Sequence, residues 1–199
     1  MGLVKAQDQG QTVPPIVFPN QGAITTSFVT ATSLGGSGGS SGGDNQWLKI
    51  EFRYTVNPPT GLNYLDEVQF KVWVEGRDTL DPKATSREGM AIALTGSVTY
   101  VNVPKGRDAY GVFYVHPSTL GRYSTDRGTS DFERKWDVHI EADVDGKAVA
   151  GVDKNREQDP NWYLPPVRPV PGFVFRQNQT PFINADPDRY PAIKLPEDK

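Results

Sequence analysis

In the stretch WLKIEFRYTV every second residue is apolar: Leu48, Ile50, Phe52, Tyr54 and Val56 share one parity, while Lys49, Glu51, Arg53 and Thr55 share the other. Successive side chains of an extended chain point to opposite faces, so this alternation describes a strand with one face buried and one face wet. A helix of the same residues would scatter its apolar groups around the axis. The pattern returns in EVQFKVWVE, where Val68, Phe70, Val72 and Val74 alternate with Glu67, Gln69, Lys71, Trp73 and Glu75. Two such stretches in close succession commit the chain to β structure.

Further strands follow from the same signal. GMAIALTGSVTYVNV reads as a long strand with a bulge or bend expected at Gly96, and DAYGVFYVH sets Tyr110, Val112 and Tyr114 against Phe113 and Val115. In KWDVHIEADVDGKAVAGVD the alternation of Val138, Ile140, Ala142 and Val144 runs into Asp145-Gly146, a strong hairpin cue. AITTSFVTA, with Ile24 and Phe28 expected inside, adds another strand. Pro117 opens at most a short helical turn, because the glycines after it discourage a longer one. Seven strands between residues 23 and 154, without an ordinary helix, predict an all-β, immunoglobulin-like β-sandwich.

Two segments lie outside this pattern. SLGGSGGSSGGDN, Ser33 to Asn45, is a flexible coil by composition and reads as a loop within the sandwich. A strand tethered only by such a coil is one that neighbouring copies could exchange. From Asn155 the chain turns proline-rich, but Trp162, Tyr163, Phe173 and Phe175 are too many large apolar groups for a solvated tail. The expected organisation is an extension over 1–22, a sandwich over 23–154, and a C-terminal segment over 155–199 partly packed on it, with an edge strand at 172–176 and fraying after Pro191.

Composition excludes several functions. There is no cysteine, hence no disulfide, thiolate nucleophile or thiolate-ligated metal. A formal charge of -3 with no basic stripe argues against nucleic acid, and no apolar run is long enough to span a bilayer as a helix. Val4-Lys5-Ala6 before Gln7-Asp8-Gln9 has the small residues of a signal-peptidase site, so an exported protein of the periplasm, outer surface or medium is expected.

No catalytic signature stands out. The two histidines, His116 and His139, lie on different expected strands, and their spacing is not that of metal ligands. No nucleophile elbow or phosphate-binding loop occurs. Glu141, Asp143, Asp145 and Gly146 open like a calcium loop, yet the twelfth position is Val152 instead of glutamate, and the hairpin accounts for more residues. Paired acids for glycoside hydrolysis would leave no local trace, but the acids fall mostly on outward strand positions, and solvated surface is the better account of them. Trp73 and Trp47 fall on the polar parities of their strands. With Trp162 they form either an interaction surface, including a platform for sugar rings, or groups covered by the C-terminal segment. No catalytic, cofactor or metal residue is assigned, and the expected protein is not an enzyme.

The stretches FRYTVNPPTGLNYLDEVQFKVWVEGRD and HPSTLGRYSTDRGTSDFERKWDVHIEADVDGK together resemble a small family of verrucomicrobial, Akkermansia-type pilus-like proteins. The resemblance implies an immunoglobulin-like fold, genes near type IV pilus components, and an exported surface or envelope protein with a structural or adhesive role. Its implied partners are pilus components or further copies of itself. It brings no catalytic residues and no cofactor. The alternative is a carbohydrate-binding module recognising host or mucin glycans through exposed Trp73, Trp47 or Trp162.

Overall fold

The computed structural model describes residues 13–31, 46–78, 80–81, 83, 89–123, 136–155, 159 and 161–195. The signal-peptidase site and the coil from Ser33 to Asn45 lie outside the described residues. Among the described residues there are eleven strands: β1 (Ile16–Val17), β2 (Ile24–Thr30), β3 (Gln46–Val56), β4 (Tyr64–Asp78), β5 (Met90–Pro104), β6 (Gly106–Val115), β7 (Val138–Val144), β8 (Lys147–Lys154), β9 (Arg168–Pro171), β10 (Val174–Arg176) and β11 (Ala192–Ile193). One helix, α1 (Pro117–Tyr123), follows β6. A first sheet runs β1–β3–β6–β10 with β2 also on β3, and a second runs β11–β5–β4–β7–β8 with β9 also on β5. Every pairing is antiparallel except β5 with β9. The protein is an all-β sandwich.

The alternating residues meet between the sheets. Phe52, Tyr54, Phe70, Tyr100 and Phe113 are essentially inaccessible and form one aromatic centre, with Phe70 4.8 Å from Phe52 and 4.7 Å from Tyr54. The Tyr100 hydroxyl accepts the amide of Val112 at 3.1 Å, which satisfies a polar atom in an apolar interior. Gly111 stands opposite Phe52, and a Cβ there would fall 2.1 Å from the ring. The glycine makes room for the phenyl group. Burial of this many aromatics, each removing ~150–250 Å² from water, gives the sandwich its main driving force.

The seven expected strands correspond to β2 to β8. β10 falls within the edge strand expected at 172–176, at the end of the first sheet, whereas the additional β1, β9 and β11 are two to four residues long, too short for an alternation to show. Fraying after Pro191 is corrected by β11, which pairs Ala192 and Ile193 with Val101 and Tyr100. The bulge at Gly96 is corrected too, because β4 and β5 keep one register from Tyr64 opposite Pro104 to Asp78 opposite Met90. That glycine serves close approach instead: a Cβ there would sit 2.6 Å from the Val174 carbonyl of β10. Ile24 is buried and Phe28 half-buried, and β2 pairs with β3 of its own chain from Ile24 opposite Phe52 to Thr30 opposite Gln46. That in-chain pairing weakens the idea of an exchanged strand. The Asp145-Gly146 hairpin has φ of 53° and 73° at its two central residues, the type I′ geometry that matches strand twist.

Candidate functional site

Strand register arranges the outward side chains of the second sheet in rows. Trp73 lies between His139 and Thr95, Lys71 between Glu141 and Ser97, and Gln69 between Asp143 and Thr99. Glu141 and Asp143, two of the acids that resembled a calcium loop, therefore stand on a strand, where Lys71 Nζ approaches Asp143 Oδ2 at 2.5 Å and Glu141 Oε1 at 3.4 Å. The hydrogen bond to Asp143, aided by the charges of Asp143 and Glu141, raises the Lys71 pKa against the opposing effect of burial. Among the described residues no group of three or more His, Asp or Glu could hold a metal ion.

One end of these rows is roofed by the C-terminal segment. The Tyr163 ring stacks on His139 with centroids 3.8 Å apart, and Trp73 lies 4.8 Å from Tyr163. Gly151 on β8 lies against the His139 ring, where a Cβ would come within 3.3 Å of Cε1. Asp153 Oδ1 takes hydrogen bonds from His139 Nδ1 at 2.9 Å and Trp162 Nε1 at 3.1 Å. The imidazole is thus held between glycine and tyrosine with a carboxylate at Nδ1, an arrangement that orders a side chain. Burial, with the charges of Glu141 and Asp153, raises the Tyr163 pKa.

Beyond Trp73 the same face opens into a cleft of about 570 Å³. Gln69, Lys71, Thr95 and Ser97 contribute to its floor, Trp73 to one wall, and Arg176 and Gln179 from the C-terminal segment to another. Gln179 Oε1 accepts the Arg176 amide at 3.1 Å, which leaves its amide nitrogen as a donor.

The three tryptophans do not share a surface. Trp73 is half-buried in the cleft wall, whereas Trp47 and Trp162 are only 9% and 6% exposed. Trp47 does point outward with Lys49 and Glu51, but His116, Phe175 and Phe182 pack around it at 4.6, 6.0 and 5.8 Å. The expected platform is therefore reduced to Trp73. His116 accepts the Ser118 amide at its Nδ1, capping α1, and sits by the first sheet's outer face, away from His139. Parity marks Gln69 and Lys71 as outward, but their grouping with Thr95 and Ser97 needs the strand register. Arg176 and Gln179 carried no signal at all.

A protein-family model matches residues 31–197, most of the chain. The chain belongs to that family. Among solved structures, a protein from Akkermansia muciniphila matches with a TM-score of 0.64 and 22% identity, over 91% of this chain and 98% of that one. At this identity the likeness shows a common fold, and the Akkermansia-type resemblance holds at that level. No curated protein matches.

Proposed function

We propose that this family member is a non-enzymatic, exported surface or envelope protein that works through protein–protein contacts, as a pilus-associated structural or adhesive component with an immunoglobulin-like sandwich as its scaffold. The observation that carries this reading is an apolar end of the molecule. Val13 is 66% exposed and Leu62 and Tyr64 are each 55% exposed. They are drawn to one end because Asn57 hydrogen-bonds the Pro14 and Pro15 carbonyls, while Tyr64 pairs with Pro104. Exposed apolar groups gathered at one end of a sandwich suit contact with another protein. The imidazoles and acids of both outer faces, by contrast, are engaged in caps, stacks and ion pairs that order the fold.

A photo-crosslinking residue placed at Leu62 in the producing bacterium tests the reading. Adducts with pilus components or with a second copy, lost in Tyr64→Asp, are the expected result. A protein that stays monomeric in scattering at all concentrations, never co-fractionates with pilus components, or remains in the cytoplasm overturns it.

A further inference from the structure

The geometry points to a carbohydrate-binding site in the cleft beside Trp73, built by Gln69, Ser97, Arg176 and Gln179 and taking a short neutral oligosaccharide. The volume of about 570 Å³ falls within the ~300–1,000 Å³ of small-ligand sites. Its lining has the composition such a ligand needs. The Gln69 and Gln179 amides and the Thr95 and Ser97 hydroxyls offer both donors and acceptors, which suits sugar hydroxyls that do the same. Trp73 adds an aromatic surface for the apolar C–H side of a pyranose ring.

Two competing ligand classes fit less well. An extended peptide that adds a strand needs a free sheet edge, but β4 in the floor is paired on both sides, by β5 and β7. On the outer edge of β5, β9 pairs with Ile92 to Thr95 and β11 with Tyr100 and Val101, which leaves only a short gap between them. A phosphate or another strong anion is best held by several cations, but of the two that line the cleft Lys71 is already neutralised by Asp143 and Glu141. Arg176 remains as a planar donor for hydroxyl oxygens. The orientation is consistent with the C-terminal segment completing the site, since Arg176 and Gln179 close a wall that the sheet alone would leave open.

This site stands apart from the pilus-associated reading, since it uses the outer face of the second sheet and not the Leu62 end. The test uses the full chain on an array of defined neutral and acidic oligosaccharides, followed by titration of the best neutral one under tryptophan fluorescence. Retention of a neutral oligosaccharide, weakened at least tenfold by Ser97→Tyr and by Gln69→Ala, is expected. Both positions lie on the solvent side of paired strands, and an unchanged melting curve confirms that the variants fold. Absence of binding at millimolar oligosaccharide overturns the proposal. So does binding confined to acidic glycans, or binding indifferent to both substitutions.

Discussion

Arg189 grips Glu51 with both arms of its guanidinium, Nε 3.0 Å from Oε2 and Nη2 2.7 Å from Oε1, across 138 residues of sequence. Tyr190 donates its hydroxyl to the same carboxylate at 2.5 Å, Lys49 adds an ion pair at 3.1 Å, and the Arg189 guanidinium lies 4.0 Å from the Tyr110 ring centroid. This cluster latches the C-terminal segment onto the first sheet, while Tyr163 does the corresponding work on the second.

The latch predicts a pH dependence. Burial pushes the Glu51 pKa upward, but the hydrogen bonds from Arg189, Tyr190 and Lys49 outweigh it and hold the carboxyl at about 2, against an ordinary 4.5. A depressed carboxylate contributes stability that is fully present above its ordinary pKa and lost as pH falls towards the folded value. Wild type therefore loses stability between pH 4.5 and about 2 more steeply than Glu51→Gln. At neutral pH the variant is weaker by about 1–2 kcal/mol, a charged hydrogen bond discounted for the partly exposed arginine. Urea midpoints of both proteins across this range check it, and parallel profiles would refute it.

Gly111→Ala should be among the costly single-methyl changes in the molecule. The new Cβ would fall 2.1 Å from a Phe52 ring that is 1% exposed, so the ring must move within a packed core. Overpacking of this kind costs about 1–3 kcal/mol. Urea unfolding should show a lower midpoint at unchanged slope; a variant as stable as wild type would mean that the core yields freely around Phe52.

Gly146→Ala should act through the backbone alone. Nothing lies within 4 Å of its Cβ position, yet its φ is 73°. The loss should be near 1 kcal/mol, from left-handed strain at the hairpin turn. Replacement by asparagine, which tolerates this conformation better, should recover part of it in thermal melts. Equal losses for alanine and asparagine would point to a cause other than the turn.

Tyr163→Ala should uncover Trp73 and His139, on which the tyrosine packs at 4.8 and 3.8 Å. Acrylamide quenching of tryptophan fluorescence should rise, with a stability loss of about 1 kcal/mol for the aromatic contacts. Unchanged quenching would show that Tyr163 does not shield the indole.

Alternation by itself determined the β class, the seven long strands and the aromatic core, because the period of two is imposed by the pleat and can be read one strand at a time. The Asp145-Gly146 turn was equally local, since positive φ at both residues calls for these residue types. Tertiary structure decided the rest. Trp47 has the parity of an exposed residue and is buried, because Phe175 and Phe182 arrive from a segment more than a hundred residues away. Gly96 looked like a bulge and is instead the point where β10 crosses β5 at close range. The cleft depends on the register that sets Lys71 opposite Ser97 and Trp73 opposite Thr95, and on Arg176 closing a wall. Periodicity tells a side chain which way to face, but only the assembled chain decides what it meets there.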